Sequence, residues 1–324
     1  MRIKPIFGLM AAAALALSAC SSSTPTSTGE APATSGGDTT AKIKVAYVPT
    51  TGTNPFWQAV GEGLQQAVDA NGNAEIVTVD PNGDQDLMNT QVETLVTQGI
   101  DVLVIAPYDT TGVKAALETA AKANVPVVNI DTPVKDQDLV LSVVASDNKK
   151  AGQLVAEDMM SKLDKGSKIA ILHCPQGQAC IDRLDGFKEA SGDYFTFADP
   201  YDGKGDITTG MELTDNILQS DPDIKAIFGI NDPMALGAVK SLEAHPDIKG
   251  VLVYGVDGSP DAKKAIEAGT MTGTGAQSPI NMGKTAGETA FKILAGETVD
   301  HNIVIDVFFI GKDNLSQYSI DGWQ

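Results

Sequence analysis

Arginine is nearly missing from this sequence, which has only Arg2 and Arg183 among its 324 residues and a formal net charge of −19. Such an acidic chain lacks the basic face that binds nucleic acid and the cations that hold an anionic membrane surface. Histidine is also scarce, with three residues, and none has the spacing to a serine that a catalytic triad uses. We therefore predict a protein that is not an enzyme and that binds no nucleic acid.

Sites for cofactors and metals are lacking as well. A phosphate-binding loop ending in Gly283-Lys284-Thr285 is excluded because Ser278 stands where the first glycine is required. An EF-hand loop starting at Asp80 is excluded because its obligatory glycine is replaced by Gln85. We predict no cofactor and no metal.

The chain begins with a short apolar segment, Ile6–Leu17, behind the basic residues Arg2 and Lys4. The segment is too short to span a membrane and is typical of an export signal. Its end, Leu17-Ser18-Ala19-Cys20, resembles the lipobox of bacterial lipoproteins, in which cleavage leaves a lipid-modified cysteine. We expect a lipoprotein signal peptide over 1–20 and an anchor on the outer face of the cytoplasmic membrane, at the cell surface or in the periplasm. An ordinary signal peptide is the alternative.

Residues 21–41 contain Ser, Thr, Pro and Gly with almost nothing apolar. Such a composition cannot bury a core, and it predicts a flexible tether. The remaining stretch, 42–324, is long enough for two domains.

Apart from Cys20, the cysteines are Cys174 and Cys180. In an oxidising compartment outside the membrane, a small-loop disulfide between them is plausible, and two free thiols are the alternative. A metal site is disfavoured because the neighbouring His173 is one ligand where three or four are needed.

Short apolar runs alternate with amphipathic stretches from residue 43 onward. This alternation predicts an α/β fold with parallel sheets covered on both faces. The predicted strands are Ile43–Val48, Glu75–Val79, Val102–Ile105, Val127–Ile130, Leu139–Val144, Lys168–Leu172, Ala226–Ile230, Val251–Tyr254 and Thr272–Ala276. The predicted helices include Trp57–Asn71, Leu87–Gln98, Val113–Ala123, Ala151–Leu163, Ile207–Gln219, Ala235–Ala244 and Gly283–Ala295. Before Pro233, Pro260 and Pro279 we expect Asp232, Ser259 and Ser278 to be helix N-caps.

Polar side chains follow five of these strands closely, namely Asn54, Asp131, Asn231, Asp257 and Gln277. Each could simply cap a helix. The carboxyl ends of parallel strands are, however, where open α/β sheets bind ligands. Together the five residues predict a polar ligand crevice.

Several motifs then resemble a known family, in family order and spacing. The segment Thr50–Trp57 resembles the first-strand loop of the ribose-binding proteins, and Asn231–Ala238 is the most specific match. Further motifs are Asn129–Asp131, Ala145–Asn148, Arg183–Phe187, Gly255–Gly258 and Ala276–Gln277. The chain is thus identified as similar to the type I periplasmic binding proteins, the sugar-capturing subunits of ABC importers.

The resemblance implies two doubly wound lobes joined by a three-crossover hinge. We expect one lobe to comprise 42–146 plus 278–305 and the other 147–277 plus 306–324. It implies a monomer that binds a small sugar or polyol and passes it to an ABC permease and its ATPase. The alternatives are a receptor subunit that reports a sugar or a furanose-like autoinducer to a sensor kinase, and an exported enzyme.

The resemblance also implies roles for individual residues. Phe56 and Trp57 would stack on the apolar faces of the sugar, with Tyr201 as a third aromatic residue from the second lobe. Asp131, Asp257, Asn231 and Gln277 would bind hydroxyl groups, and Arg183 would supply a planar fork of donors. The implied ligand-binding set is Thr50, Asn54, Phe56, Trp57, Asp131, Thr132, Arg183, Tyr201, Asn231, Asp257 and Gln277.

One position departs from the ribose-binding pattern, in which an arginine directly follows the fourth-strand aspartate; here that residue is Thr132. Asp131 and Asp257 would then face one guanidinium instead of two. The site could carry excess negative charge, recruit a lysine, or prefer a polyol or a cationic sugar derivative. The shorter side chain leaves room for a larger ligand or for water, which argues against ribose itself.

Overall fold

The computed structural model describes residues 41–324, which contain two six-stranded sheets. The expected signal peptide, Cys20 and all but the last residue of the tether lie outside the described residues. The first sheet is parallel throughout, and its spatial order is β11 (Asn302–Ile305), β5 (Ser142–Ser146), β4 (Val127–Ile130), β3 (Val102–Ile105), β1 (Ile43–Val48) and β2 (Ala74–Thr78).

The second sheet repeats this arrangement with one exception. Its spatial order is β12 (Phe308–Gly311), β10 (Gly273–Ala276), β9 (Leu252–Asp257), β8 (Ala226–Gly229), β6 (Ile169–His173) and β7 (Tyr201–Asp202). All neighbours are parallel except β12, which runs antiparallel to β10. The predicted α/β fold with two parallel-dominated sheets is confirmed.

Nine helices cover the sheets in the described residues. They are α1 (Pro55–Asn71), α2 (Gln85–Thr97), α3 (Lys114–Lys122), α4 (Asn148–Lys162), α5 (Gln178–Ser191), α6 (Ile207–Ser220), α7 (Asp232–Ala244), α8 (Pro260–Ala268) and α9 (Pro279–Leu294). The central strands β3, β4, β6 and β8 are buried along their whole length, as expected for strands covered on both faces.

The predicted caps are correct at one of the three proline-marked starts. Ser259 accepts from the backbone N–H of Ala262 and caps α8. The α7 prediction is wrong by one residue, since Asn231 caps the helix and Asp232 is its first residue. Ser278 precedes α9 but makes no side-chain cap bond.

The chain passes between the sheets three times, after β5, after β10 and after β11. Helix α4 therefore packs on the second sheet, while α9 returns to the first and packs against α1. Near the C-terminal end, the ring of Trp323 packs with the core beneath the first sheet, whereas Tyr318 and Ile320 pack with the core of the second. The predicted division into lobes stays a prediction.

Two helix pairs cross at unusually short distance because glycines face each other. A Cβ atom on Gly186 of α5 would overlap the carbonyl oxygen of Lys149 in α4, and one on Gly152 would overlap that of Arg183. Gly63 in α1 and Gly283 in α9 make the equivalent contact in the other half. The backbone of α5 is thereby held rigidly against α4.

Within residues 41–324, no helix has both the length and the apolar character needed to cross a membrane.

Candidate functional site

A crevice of about 160 Å³ lies where the carboxyl ends of strands from both sheets meet. Ten of the eleven predicted ligand-binding residues line it. The first half of the fold contributes Thr50, Asn54, Phe56, Trp57, Asp131 and Thr132, and the second contributes Arg183, Asn231, Asp257 and Gln277. The carboxyl ends of the parallel strands therefore bring together residues that are far apart in the sequence.

Tyr201 is the exception. It lies on the edge strand β7 and lines a different cavity, beside Lys168 and Phe197. The prediction that Tyr201 faces the ligand crevice is wrong, because pairing of Tyr201 with Leu172 keeps it at the outer edge of the second sheet. In its neighbourhood the crevice is lined instead by Lys204 and Gly205.

The Arg183 side chain makes three contacts at the crevice, and the residue is only 4% exposed. Its Nε donates to Asn148 Oδ1 at 2.8 Å, and its Nη1 donates to the carbonyl oxygen of Ile230 at 3.1 Å. The same Nη1 lies 3.5 Å from Asp257 Oδ1, so the two groups form a buried ion pair whenever Asp257 is ionised. These contacts fix the plane of the guanidinium, so that it is presented to the crevice in one orientation.

Asp257 accepts from three directions. Gln277 Nε2 donates to its Oδ1 at 2.9 Å, the backbone N–H of Asp232 donates to its Oδ2 at 3.3 Å, and Arg183 faces it. Burial raises the pKa of Asp257 to about 8, although Arg183 opposes the shift; the nearby Asp232 adds to it. Asp257 is therefore a carboxyl group poised to hold or release a proton near neutral pH.

Asp131 faces the crevice from the first half. Burial raises its pKa, against the opposing effects of Arg183 and of the Thr132 hydroxyl, which donates to Asp131 Oδ2 at 2.9 Å. Its Oδ1 is buried and has no hydrogen-bond partner, and the same is true of Gln277 Oε1. Two residues that line the crevice thus each carry an acceptor oxygen without a partner. A buried polar group that stays unpaired costs about 1–3 kcal/mol of free energy. A ligand that donates a hydrogen bond to either oxygen would remove that cost.

The backbone at both carboxylates is unusual. Asp131 has φ = 59° and Asp257 has φ = 148°, values that residues with a Cβ atom seldom adopt. Lys204, which also lines the crevice, has φ = 55°. Residues held in such conformations cluster at functional sites, where the surrounding structure maintains them.

Two aromatic rings form part of the apolar surface of the first-half wall. Phe56 and Trp57 begin α1, and their ring centroids lie 5.0 Å apart at an interplanar angle of 88°. Trp323 contacts Phe56 from the other side at 5.8 Å. Tyr47 Oη donates to the carbonyl oxygen of Trp57 at 2.7 Å and so fixes the start of the helix.

The sequence left open whether Asn54 and Asn231 cap helices or line a ligand crevice, and the structure shows that they do both. Each side chain caps a helix, Asn54 by accepting from Phe56 N and Asn231 by accepting from Met234 N, and each also lines the crevice. Asn231 Nδ2 additionally donates to the carbonyl oxygen of Gly205 at 3.0 Å. Asp232, by contrast, is buried behind the crevice, where it binds Ser259 N and Thr274 Oγ1.

Several lining residues were missed from the sequence. Pro107 and Tyr108 lie just past the end of β3, a position that the sequence shows, but neither has the amide or carboxylate side chain on which the prediction depended. Others are Thr51, Gly83, Gln176, Gly177 and Ala179. The predicted partners Cys174 and Cys180 are joined by a disulfide, and both line the crevice, which the sequence did not indicate.

No cluster of three or more His, Cys, Asp or Glu side chains suited to a metal ion occurs in residues 41–324.

Comparison with known proteins places this geometry in context. Residues 45–298 match the family described as periplasmic binding protein domain. The ribose import binding protein of Bacillus subtilis is 36% identical over 251 residues, covering 77% of this chain and 81% of the relative. The D-ribose/D-allose-binding protein of Pseudomonas aeruginosa is 30% identical over 302 residues, covering 89% and 92%.

Solved structures agree with these relatives. An ABC transporter solute-binding protein from Mycobacterium smegmatis with bound glycerol has a TM-score of 0.81 and 32% identity, covering 88% of this chain and 100% of that one. A solute-binding protein from Bacillus halodurans with bound myo-inositol has a TM-score of 0.80 and 25% identity, covering 87% and 98%.

Proposed function

Because this chain belongs to the periplasmic binding protein family, we propose that it captures a small sugar or polyol outside the cytoplasmic membrane and delivers it to an ABC importer. Members of the family are binding proteins, so the prediction that the chain is not an enzyme is confirmed. The family resemblance read from the sequence is confirmed as well.

The proposed ligand class is supported chiefly by the unpaired polar groups of residues that line the crevice. Asp131 Oδ1 and Gln277 Oε1 are buried acceptors without partners, and Arg183 supplies the donor surface beside them. A polyhydroxyl ligand suits both kinds of group, since each hydroxyl donates one hydrogen bond and accepts one or two. Phe56 and Trp57 suit its C–H faces. The relatives whose names or crystals carry ribose, allose, glycerol or myo-inositol bind molecules of this class.

The replacement of an arginine by Thr132 shifts the preference within that class. Its hydroxyl is used by Asp131 and does not neutralise that carboxylate. Lys204, which lines the crevice from the second half, is the lysine that can offset the excess charge. We expect a polyol such as glycerol or myo-inositol to bind at least as well as ribose.

The test is a calorimetric thermal-unfolding screen with D-ribose, D-allose, glycerol and myo-inositol, with maltose as a control too large for the crevice. A ligand at one hundred times its Kd stabilises the folded state by about 2.7 kcal/mol, since it binds only that state. The proposed ligand class requires a shift with at least one of the four. No shift with any of them at millimolar concentration would contradict it.

Delivery to an importer is tested separately in cells. A strain lacking the protein should lose uptake of the radiolabelled ligand and regain it with the intact gene. Normal uptake together with a lost transcriptional response to the ligand would support the receptor alternative instead.

Membrane anchoring rests on Cys20, which lies outside the described residues. Cys20→Ala should move the protein from the membrane fraction to the soluble fraction, with Cys180→Ala as the control that leaves fractionation unchanged. Unchanged membrane association of Cys20→Ala would refute the lipid anchor.

In this proposal, ligand capture depends on closure of two lobes, 42–146 plus 278–305 and 147–277 plus 306–324. The three passages between the sheets support a hinge. Small-angle scattering should give a smaller radius of gyration for the protein saturated with its ligand than for the free protein. Superimposable curves would argue for a rigid crevice.

A further inference from the structure

The second-half wall of the crevice has an unusual apolar surface. The rest of its lining consists of polar or charged side chains and glycine, whereas Cys174, Ala179 and Cys180 form one apolar patch. The ring of Tyr201, expected to supply this surface, lies elsewhere. Within residues 41–324, the disulfide and Ala179 therefore supply the apolar surface of this wall.

We propose that the Cys174–Cys180 disulfide is itself a ligand-contacting part of the site and that it sets the affinity by fixing the first turn of α5. This inference rests on the proposed function and specifies the part of the wall that packs against the C–H surface of the sugar or polyol.

The position of the disulfide in the fold supports a role in holding the helix. Cys174 directly follows strand β6, and Cys180 is the third residue of α5. Gly177, the residue before the helix, offers no side-chain cap, whereas α1, α4 and α7 all begin with one. The disulfide holds the first turn in a different way, by tying it covalently to the end of the strand.

Its position relative to Arg183 supports a role in ligand affinity. Cys180 and Arg183 are three residues apart in α5, so both side chains lie on the same face of the helix, toward the crevice. The remainder of α5 is fixed independently by the close contact between Gly186 and Lys149. Breaking the disulfide should therefore loosen the first turn and leave the helix in place.

The disulfide lies near Gly177, and so does Thr132 from the first half of the fold. A Cβ atom built on Gly177 would lie 3.8 Å from Cys180 Sγ and 4.0 Å from Thr132 Cγ2. Thr132, Cys174 and Cys180 all line the crevice, so a ligand held there lies beside both the disulfide and the short Thr132 side chain. Sulfur is polarisable and apolar, and it suits a C–H surface.

The first experiment measures protection of the disulfide by ligand. Dithiothreitol transfers two electrons and two protons to the disulfide, which yields two thiols and the cyclic oxidised reagent. The thiols of Cys174 and Cys180 are counted by alkylation and peptide mass mapping in the full chain. The probe is whichever of D-ribose, D-allose, glycerol and myo-inositol gives the largest thermal shift, and maltose is the control. We expect the probe to slow reduction at least fivefold; an unchanged rate would overturn the proposal.

The second experiment measures affinity without the disulfide. The double variant Cys174→Ser/Cys180→Ser should bind the same probe about tenfold more weakly by calorimetry, equivalent to about 1.4 kcal/mol. Reduced parent protein should show the same loss, and dithiothreitol should leave the affinity of the double variant unchanged. A purely structural disulfide would lower only the unfolding temperature, and unchanged affinity well below that temperature would refute the proposal. If the double variant does not fold, the reduced parent protein provides the same comparison.

A third experiment does not need a ligand, so it remains decisive if the proposed ligand class fails. Reduction should speed amide hydrogen exchange in the peptide Gly177–Arg183 at least threefold, with Pro55–Gly61 at the start of α1 as the matched control. Equal exchange before and after reduction would show that the disulfide does not hold this turn. A thermal shift without protection, by contrast, would leave the proposed function intact and overturn only this inference.

Discussion

Replacement of Arg183 by lysine is the sharpest test of the site, because the change keeps the positive charge and removes the planar fork. The guanidinium contacts Asn148 Oδ1 at 2.8 Å, the Ile230 carbonyl oxygen at 3.1 Å and Asp257 Oδ1 at 3.5 Å. The single ammonium group of a lysine side chain cannot contact all three of these oxygens at once. We expect Lys at 183 to remain near Asp257, its charge partner, and to leave the other two oxygens without a donor.

The magnitude follows from those two lost bonds. Hydrogen bonds to a charged group contribute about 1.5–3 kcal/mol each, and the oxygens left behind lie on Asn148 and Ile230, which are buried. Part of the loss lowers the stability of the free protein. The part that concerns the ligand arises because the donor surface is no longer held in one orientation. We expect about 2 kcal/mol in binding, which is roughly a 30-fold higher Kd.

The assay is titration calorimetry with the best ligand of the four-compound screen, alongside thermal unfolding of the free protein. Asp185→Asn is the matched control, because Asp185 lies on the same helix and is exposed. It should bind like the parent protein. A Kd for Arg183→Lys within about threefold of the parent value, in a variant that unfolds normally, would mean that the fork does not orient the ligand.

Three further results are expected. Folding raises the pKa of Asp257 from 3.8 to about 8, so between pH 4 and 8 the folded state holds a proton that the unfolded chain releases. The free energy of unfolding should therefore fall as the pH rises through this range. Urea titrations at several pH values should show this fall, and Asp257→Asn should flatten it. Asp257→Ala should weaken binding more than Asp232→Ala, while Asp232→Ala should lower the unfolding temperature; equal binding losses in calorimetry would contradict the placement of Asp232 behind the crevice. Gly186→Ala should destabilise the fold by about 1–3 kcal/mol, because its Cβ would overlap the Lys149 carbonyl oxygen, and a denaturation midpoint equal to that of the parent would refute that close packing.

Much of the architecture could be predicted because buried parallel strands have a strong sequence signal. Ile43–Val48, Val102–Ile105 and Val127–Ile130 were predicted with their observed bounds. The fifth strand was predicted too early, because Gln137–Leu139 forms a short 3-10 helix before it. The edge strands β7, β11 and β12 were not predicted. They are short and only partly buried, so their apolar pattern is weak.

The site could be predicted wherever a polar residue follows a strand, and it was missed where the lining is apolar or lies on a loop. Asp131, Asp257 and Gln277 were found by position alone. Tyr201 was assigned to the crevice by family resemblance alone. The strand that holds it, β7, was not predicted, so nothing in the sequence fixed its position. The contribution of the disulfide to the crevice depends on where α5 begins relative to β6, a tertiary relation that cysteine spacing does not encode.

The contact between Phe56 and Trp323 has a practical consequence. Trp57 and Trp323 are the two tryptophans of the sequence, and both rings pack on Phe56 at the wall of the crevice, with centroid distances of 5.0 Å and 5.8 Å. All indole fluorescence of the chain therefore comes from Trp57, which lines the crevice, and from Trp323, which is in contact with the lining residue Phe56. The unlabelled protein should act as its own optical biosensor, whose emission changes when the crevice fills.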